Sequence, residues 1–456
     1  MPRHFVRVPL LLLLAALLAA PCAFADSTAL SGDPAEIAPY PYASPYEATI
    51  FGTPPDLRLT LPGSPRPEVL SLEVEDRRVP DVFAYNAAME YSLLLQDHPA
   101  PLVFLIAGTG GRYDESKMLF LQQLFYSAGF HTACISSPTQ FQFIVSVSRH
   151  AIAGYVPWDV DDLWRVLAWV RAEAESRCAV TGFRITGYSL GALHAAFLAE
   201  RDAHERVYGF ERVLMLNPPV DLFSSALNFD SWLGNGEAGM AKAQEAIGTF
   251  ISEFTEFYKA NDLGDLDGEA LFRFFETLHL DEEQYKALIS SSFRMTCASL
   301  VFTSDVCLRA GYVVSPEVEL SSTDPLLPYF DVASRITFEE YFEEFLLPYV
   351  QFNDPGATRT TVLHECSLRS IARFLGGAAS VRVLGTEDDP ILDPDELEFL
   401  KTTFGDRAGF FTRGGHCGNF QYAPFARRIL ELMRLPGDAA PSFGNRMQPR
   451  GENSHV

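Results

Sequence analysis

Short apolar runs that alternate with amphipathic segments constrain the fold of this chain more than any other feature. From Pro101 the runs PLVFLIAG, FHTACISS, FRITGYS and ERVLMLNPP alternate with segments of helical spacing such as ESKMLFLQQLFYSAG. Runs of this length suit strands buried on both faces of a sheet, and the segments between them suit crossover helices that join parallel strands. The alternation therefore predicts an α/β fold with a mostly parallel sheet.

This alternation is interrupted once. Between residues 221 and 350 the chain becomes rich in phenylalanine and acidic residues at helical spacing, and the strand pattern then returns with SVRVLGTEDD and AGFFTRGGHCG. We therefore predict a sheet-containing core formed by residues 67–220 and 351–435. Residues 221–350 are predicted to form a helical cap or lid inserted between its two parts.

The N-terminus has the pattern of an export signal. Residues 1–25 combine a basic start, an apolar run and the small residues Ala23 and Ala25, which predicts a signal peptide cleaved near Ala25. The apolar run is too short for an ordinary membrane span, so we predict a periplasmic or secreted protein with no stable span. Lipid or N-terminal anchoring, for which Cys22 is the candidate, is the alternative.

Two further segments lie outside the predicted core and cap. Residues 26–66 are rich in proline, alanine and tyrosine, which predicts an extended arm lying on the body of the protein. The polar composition of residues 436–456 predicts a disordered tail.

Composition narrows the classes of partner. The formal net charge is −24. Such a surface repels phosphate backbones and anionic head groups, so we predict no nucleic-acid partner. The chain also has 36 phenylalanines, more than its core is expected to need, and the surplus suits an apolar pocket.

The cysteines predict no metal site. Six remain after removal of the signal peptide, and neither a CxxC pair nor a histidine and cysteine array with zinc spacing occurs. We therefore predict neither a metal nor another cofactor. Export permits disulfides, and Cys297 with Cys307 is the suspected pair because the two enclose a short loop.

Ser189 is the first candidate catalytic residue. It lies in GYSLG, where a predicted strand gives way to a predicted helix, between Gly187 and Gly191. In a nucleophile elbow a sharp strand-to-helix turn exposes a serine in a strained conformation that only small neighbours permit. A structural serine in a tight turn is the alternative.

A serine hydroxyl needs a base, and His416 is the best candidate. In chains with this elbow the order is serine, acid, histidine, and His364, His416 and His455 follow the insertion. His416 comes directly after a predicted strand, in GGHCGNF, where two glycines allow a close approach. His364 lies within a predicted helix and His455 lies in the tail.

The acid that orients the base is predicted after the preceding strand. VRVLG is followed by Thr386, Glu387, Asp388 and Asp389. Asp388 is our choice because it stands three residues after the glycine that ends the strand, and Asp389 is the alternative. Pro390 restricts the backbone of Asp389, which favours a role in the turn for that residue.

An acyl-transfer site also needs donors for the oxyanion. One is the N–H after the nucleophile, here Leu190, and the other comes from a loop after an earlier strand. IAGTGGRYDES supplies that loop, with Thr109 as the predicted donor and Gly110 as the alternative.

Together GYSLGA, LIAGTGG, GTEDDP and GGHCGNF, in this order, resemble the α/β-hydrolase superfamily, with serine esterases and lipases as the nearest likeness. The resemblance covers residues 67–220 and 350–435. It implies an eight-stranded, mostly parallel sheet with a helical cap inserted after strand 6. It also implies hydrolysis of an ester, thioester or amide. Ala107 departs from the pattern, since many members have histidine before the oxyanion glycine.

We therefore expect an exported serine hydrolase that cleaves carboxylic esters, or lipid-like substrates with apolar acyl chains, through an acyl-enzyme. Serine peptidases and acyltransferases would use the same residues. A non-catalytic binding protein with a hydrolase fold is the alternative from another class, and it often lacks the serine or histidine.

Overall fold

Eight strands form one sheet in the computed structural model, which describes residues 39–74, 77–234, 236–261, 268–278 and 280–438. The strands are β1 (Glu68–Leu72), β2 (Met89–Leu94), β3 (Ala100–Ile106), β4 (His131–Ile135), β5 (Val180–Tyr188), β6 (Arg212–Leu216), β7 (Val381–Thr386) and β8 (Ala408–Phe411). Strands β3 to β8 correspond to the six apolar runs that the sequence predicts as strands.

The strand order is β1-β2-β4-β3-β5-β6-β7-β8. β2 is antiparallel to both of its neighbours, and β3 to β8 are parallel. The chain passes from β3 back to β4 and then crosses to β5, so the loops after β3 and β5 leave the sheet side by side. This is the sheet that the resemblance to α/β-hydrolases implies, and the predicted fold class is confirmed.

Both faces of the sheet are covered. In β3, Leu102, Phe104 and Ile106 face one apolar cluster, whereas Val103 and Leu105 face a second cluster on the opposite side. All five are fully buried. This explains why β3 appears as an unbroken apolar run, since a strand buried on both faces has no polar position.

The described residues form sixteen α-helices. They are α1 (Pro45–Phe51), α2 (Ser116–Ser127), α3 (Phe141–Ser146), α4 (Val156–Arg177), α5 (Leu190–Glu205), α6 (Leu222–Leu233), α7 (Gly236–Asn261), α8 (Gly268–Thr277), α9 (Glu282–Leu308), α10 (Leu327–Ala333), α11 (Phe338–Tyr341), α12 (Leu347–Asn353), α13 (Arg359–Glu365), α14 (Ala372–Gly377), α15 (Pro394–Phe404) and α16 (Ala423–Met433). No helix among these residues is long and apolar enough to cross a membrane.

Between β6 and β7 the described chain contains helices and no strand of the sheet. A buried ion pair ties these helices together: Arg294 on α9 donates to Asp230 on α6 at 2.8 Å, and both side chains are less than a tenth exposed. The other carboxylate oxygen of Asp230 accepts the N–H of Glu339 at the start of α11. One carboxylate therefore joins three helices of the segment predicted as a cap.

The arm is not fully extended, and this part of the prediction is wrong. Residues 45–51 form α1, with Ser44 as the N-cap, Pro45 in the first turn and Glu47 favourably placed near the helix N-terminus. Residues 1–38, which include the predicted signal peptide and Cys22, lie outside the described residues.

The predicted disulfide is also wrong, because of helix geometry. Cys297 and Cys307 are free thiols on the single helix α9. They are about 15 Å apart along its axis, far beyond disulfide reach. Between α13 and α14 the chain is not α-helical, and Ser367 there pairs in a β-bridge with Asp221.

The tail begins as an anchored segment. Asp438, inside the stretch predicted as disordered, accepts two hydrogen bonds from the buried guanidinium of Arg184 on β5, at 2.6 and 2.8 Å. Residues 439–456 lie outside the described residues.

Candidate active site

Ser189 lies at the sharp turn between β5 and α5. Its φ of 52° and ψ of −125° place it in a strained conformation for a residue with a side chain. Gly187 and Gly191, which flank this serine, must be glycines because other backbone atoms lie too close to them to leave room for a side chain. A Cβ on Gly187 would lie 2.3 Å from the carbonyl oxygen of Gly191, and one on Gly191 would lie 2.2 Å from that of Ile106.

The loop after β8 brings His416 to this serine. The Nε2 atom of His416 lies 2.9 Å from Ser189 Oγ. On the other side of the ring, Nδ1 lies 3.0 Å from Oδ2 and 3.1 Å from Oδ1 of Asp389. The histidine side chain is 13% exposed and the aspartate 1%. Serine, histidine and aspartate thus form one continuous chain of hydrogen bonds.

The choice of Asp388 as the partner of His416 is wrong, and the alternative Asp389 occupies that position. Asp388 turns toward the backbone of the histidine loop, where its two oxygens accept the N–H groups of Gly414 and Gly415 at 3.2 and 3.0 Å. The adjacent carboxylates therefore differ in role, since one contacts the imidazole and the other fixes the loop that carries it.

Asn217, which sequence reasoning did not single out, holds Asp389. It follows β6 with a φ of 45° and donates from Nδ2 to Asp389 Oδ2 at 2.9 Å. The N–H of Ile391 donates to Oδ1 at 3.2 Å. The two hydrogen bonds fix the orientation of the buried carboxylate of Asp389. The sequence feature that could have identified Asn217 is its position directly after a buried strand, where functional side chains concentrate in such sheets.

The charge of Asp389 acts on His416. Burial alone would lower the pKa of His416, but the carboxylate of Asp389 and the side chain of Cys417 raise it above its ordinary value. Burial raises the pKa of Asp388, against the two loop N–H groups that lower it.

The predicted oxyanion donors differ in availability. The N–H of Gly110 donates to Thr139 Oγ1 at 2.7 Å, so this alternative donor is already engaged. Within the described part of the chain, the N–H groups of Thr109 and Leu190 have no hydrogen-bond acceptor. Leu190 begins α5, where the helix dipole favours an anion. Thr109 and Leu190 remain the predicted pair.

The helix α9 packs on this loop. A Cβ on Gly110 would lie 2.3 Å from Cγ2 of Thr296, which shows direct contact between the two residues. The insertion between β6 and β7 thus reaches the candidate oxyanion site.

The other two histidines considered as the base do not contribute to this site. His364 is exposed on α13, and His455 lies outside the described residues. Among the residues that the structure describes, no group of three or more histidine, cysteine, aspartate or glutamate side chains is arranged to hold a metal ion.

No family model matches the chain, and no curated protein matches it in sequence. Solved structures give distant matches. The thioesterase domain from the curacin biosynthetic pathway is 10% identical, with a TM-score of 0.37 over 81% of this chain and 100% of that chain. An esterase from Pyrococcus furiosus is 11% identical, with a TM-score of 0.38 over 82% and 94%. Carboxyl esterase 2 from Tuber melanosporum is 12% identical, with a TM-score of 0.35 over 93% and 96%. At these values the matches carry no argument about activity.

The close approach at Gly191 generates a stability prediction. Gly191→Ala should lower the free energy of unfolding by about 2–3 kcal/mol, because its Cβ meets backbone oxygens that cannot move independently. Gly248→Ala, at an exposed position of α7 with open space around it, should raise the free energy of unfolding by about 0.5–1 kcal/mol. Urea unfolding measures both, and equal effects of the two changes would contradict the backbone contact.

Proposed function

We propose that this protein is a serine hydrolase that cleaves carboxylic esters through an acyl-enzyme, with Ser189 as nucleophile, His416 as base and Asp389 as the acid that orients it. The observation that carries the proposal is the unbroken chain of hydrogen bonds from Ser189 Oγ through both ring nitrogens of His416 to Asp389. A structural serine in a tight turn would need neither partner.

His416 carries the proton in the proposed reaction, and Asp389 stays ionised. His416 Nε2 takes the hydroxyl proton as Ser189 Oγ attacks the ester carbonyl, and Asp389 stabilises the resulting imidazolium. The N–H groups of Leu190 and Thr109 stabilise the oxyanion. His416 then gives its proton to the departing alcohol, which leaves an acyl group on Ser189. His416 next takes a proton from a water molecule, which attacks that acyl group. The bond between the acyl carbon and Ser189 Oγ then breaks, His416 returns the proton to Oγ, and the carboxylic acid is released.

Aromatic side chains near the oxyanion loop favour an apolar acyl group. Phe293 lies one helical turn before Thr296 on α9, on the same side of the helix, and Thr296 contacts the loop at Gly110. The ring of Phe293 stacks on Phe229 at 4.5 Å and lies 6.3 Å from that of Phe338. Phe293 and Phe229 are only partly buried, so ring surface remains available to an acyl chain.

The remaining parts of the proposal come from the sequence. The basic and apolar start, with small residues at Ala23 and Ala25, supports export of the enzyme with cleavage near Ala25. Residues 221–350 form the proposed cap, and the contact of Thr296 with Gly110 supports a cap that covers the oxyanion loop.

A panel of p-nitrophenyl esters, from acetate to decanoate, tests activity and chain preference together. We expect the wild type to hydrolyse butyrate and longer esters, and Ser189→Ala to lose at least about 10³-fold in kcat. Phe293→Ala should lower kcat/KM for octanoate about tenfold relative to acetate, since the longer chain loses its apolar contact. Phe352→Ala, at a side chain 83% exposed on α12, is the matched control. It should leave kcat/KM for octanoate relative to acetate at the wild-type value.

Two results would contradict these proposals separately. A wild type that hydrolyses no ester in the panel would overturn ester hydrolysis, and peptide or acyl-transfer substrates would then be tried on the same serine. Equal loss on all chain lengths in Phe293→Ala would overturn the acyl pocket alone.

The pH dependence tests which aspartate acts on His416. The base must be neutral to accept a proton, so the rate rises with pH as the raised pKa of His416 is passed. Asp389→Asn removes the negative charge, which lowers that pKa and moves the acid limb of the kcat/KM profile to lower pH. The plateau should also fall by about 10³–10⁴-fold, because the imidazole loses its orienting partner.

Asp388→Asn is the matched control for this profile. It leaves the contact between Asp389 and His416 in place, so we expect a smaller shift of the acid limb and a plateau within about tenfold of the wild type. A larger loss in Asp388→Asn than in Asp389→Asn would contradict the assignment of the acid.

A further inference from the structure

The N-terminal arm holds the histidine loop through one hydroxyl. The N–H of His416 donates to Thr49 Oγ1 at 2.9 Å. The same hydroxyl donates its proton to the carbonyl oxygen of Pro45 at 2.7 Å. Because that proton is committed to α1, the lone pairs of the oxygen are directed at the backbone of His416.

The arm and the loop are in direct backbone contact around this hydrogen bond. A Cβ on Gly415, whose φ is +57°, would lie 2.2 Å from the carbonyl oxygen of Pro45, and one on Gly418 would lie 1.9 Å from that of Ala48. The hydroxyl of Thr53 donates to the carbonyl of Gly418 at 3.1 Å. Glycines therefore allow α1 to lie against the residues on both sides of His416.

The opposite side of α1 packs on the helical insertion. Phe51 stacks on Phe275 of α8 at 4.8 Å and meets Tyr285 of α9 edge to face at 5.6 Å. The hydroxyl of Tyr285 donates to Glu47 at 3.4 Å. Held between the insertion and the loop, α1 has a fixed position from which Thr49 can act.

We propose that Thr49 is a positioning residue, which fixes the backbone of His416 so that the ring stands between Ser189 and Asp389. This inference rests on the proposed function for its kinetic consequence. Displacement of a reacting group by about 1 Å costs up to about 10²-fold in rate. The loop is held from two directions, by Thr49 at the N–H of His416 and by Asp388 at the two preceding N–H groups.

The test compares Thr49→Val, which keeps the shape and removes the acceptor, with Thr49→Ser, which keeps the hydroxyl. In Thr49→Val we expect kcat on p-nitrophenyl butyrate to fall about 10–100-fold with KM within about twofold, because the substrate contacts are unchanged. Thr49→Ser should remain within about threefold of the wild type.

A second readout needs no turnover. The pKa of the His416 ring is followed by NMR in protein with labelled histidine, assigned with His416→Gln. The titratable groups that face this ring or its loop are Asp388, Asp389 and Cys417, and Tyr40 of the arm interacts with Asp388. Since the ring depends on Asp389 for its raised pKa, Thr49→Val should lower that pKa by about one unit and Thr49→Ser should not.

Thr53→Val separates positioning from a general loosening of the arm. It removes a hydrogen bond of the same arm without touching the N–H of His416, so we expect lower stability with an unchanged pKa of His416. The inference is overturned if Thr49→Val leaves that pKa at its wild-type value, or if Thr49→Ser shifts it as much as Thr49→Val does. Absence of ester hydrolysis in the wild type overturns the proposed function instead, and the NMR comparison still decides the role of Thr49.

Discussion

The strained turn at Ser189 is the constraint on which the rest of this structure depends. A residue with a side chain adopts a φ of 52° there because the first turn of α5 is pressed against the ends of β3 and β5. Any side chain at Gly187 or Gly191 would collide with backbone atoms. The strain of about 1–3 kcal/mol typical of such a residue is sustained by a sheet whose central strands are buried where they approach this turn.

Three loops meet at this turn because parallel strands end at the same edge of a sheet. The loop after β7 carries Asp389, the loop after β8 carries His416, and the loop after β3 carries Thr109. Each is fixed by contacts outside the proposed triad. Asn217 holds Asp389, Asp388 holds the backbone before His416, and Thr139 engages the N–H of Gly110. Because these loops are already ordered in the folded protein, the free-energy cost of ordering them is met during folding and not during the proposed reaction.

Much of the fold and part of the site follow from local sequence. Strands β3 to β8 are apolar runs, and Ser189 and His416 stand out because glycines flank them directly after strands. The acid shows where this reasoning stops. Asp388 and Asp389 both follow β7, and the side chain that meets His416 is decided by the path of the loop and by Asn217, which lies far away in the chain.

A contact between distant segments hid the role of Thr49 from the sequence, and the continuity of one helix overturned the predicted disulfide. Thr49 gives no signal in an arm rich in proline and alanine, because its role exists only when α1 lies against the loop after β8. The spacing of Cys297 and Cys307 suggests a closed loop, but the intervening residues continue one helix, which keeps the sulfur atoms apart.

Labelling with a fluorophosphonate probe tests the central claim most directly, since the probe reacts only with an activated serine. The account predicts that the folded protein is labelled on a single peptide, at Ser189, and that labelling is lost in urea and in His416→Ala. Absence of labelling in the folded protein, or labelling of Ser189 that persists without His416, would contradict it.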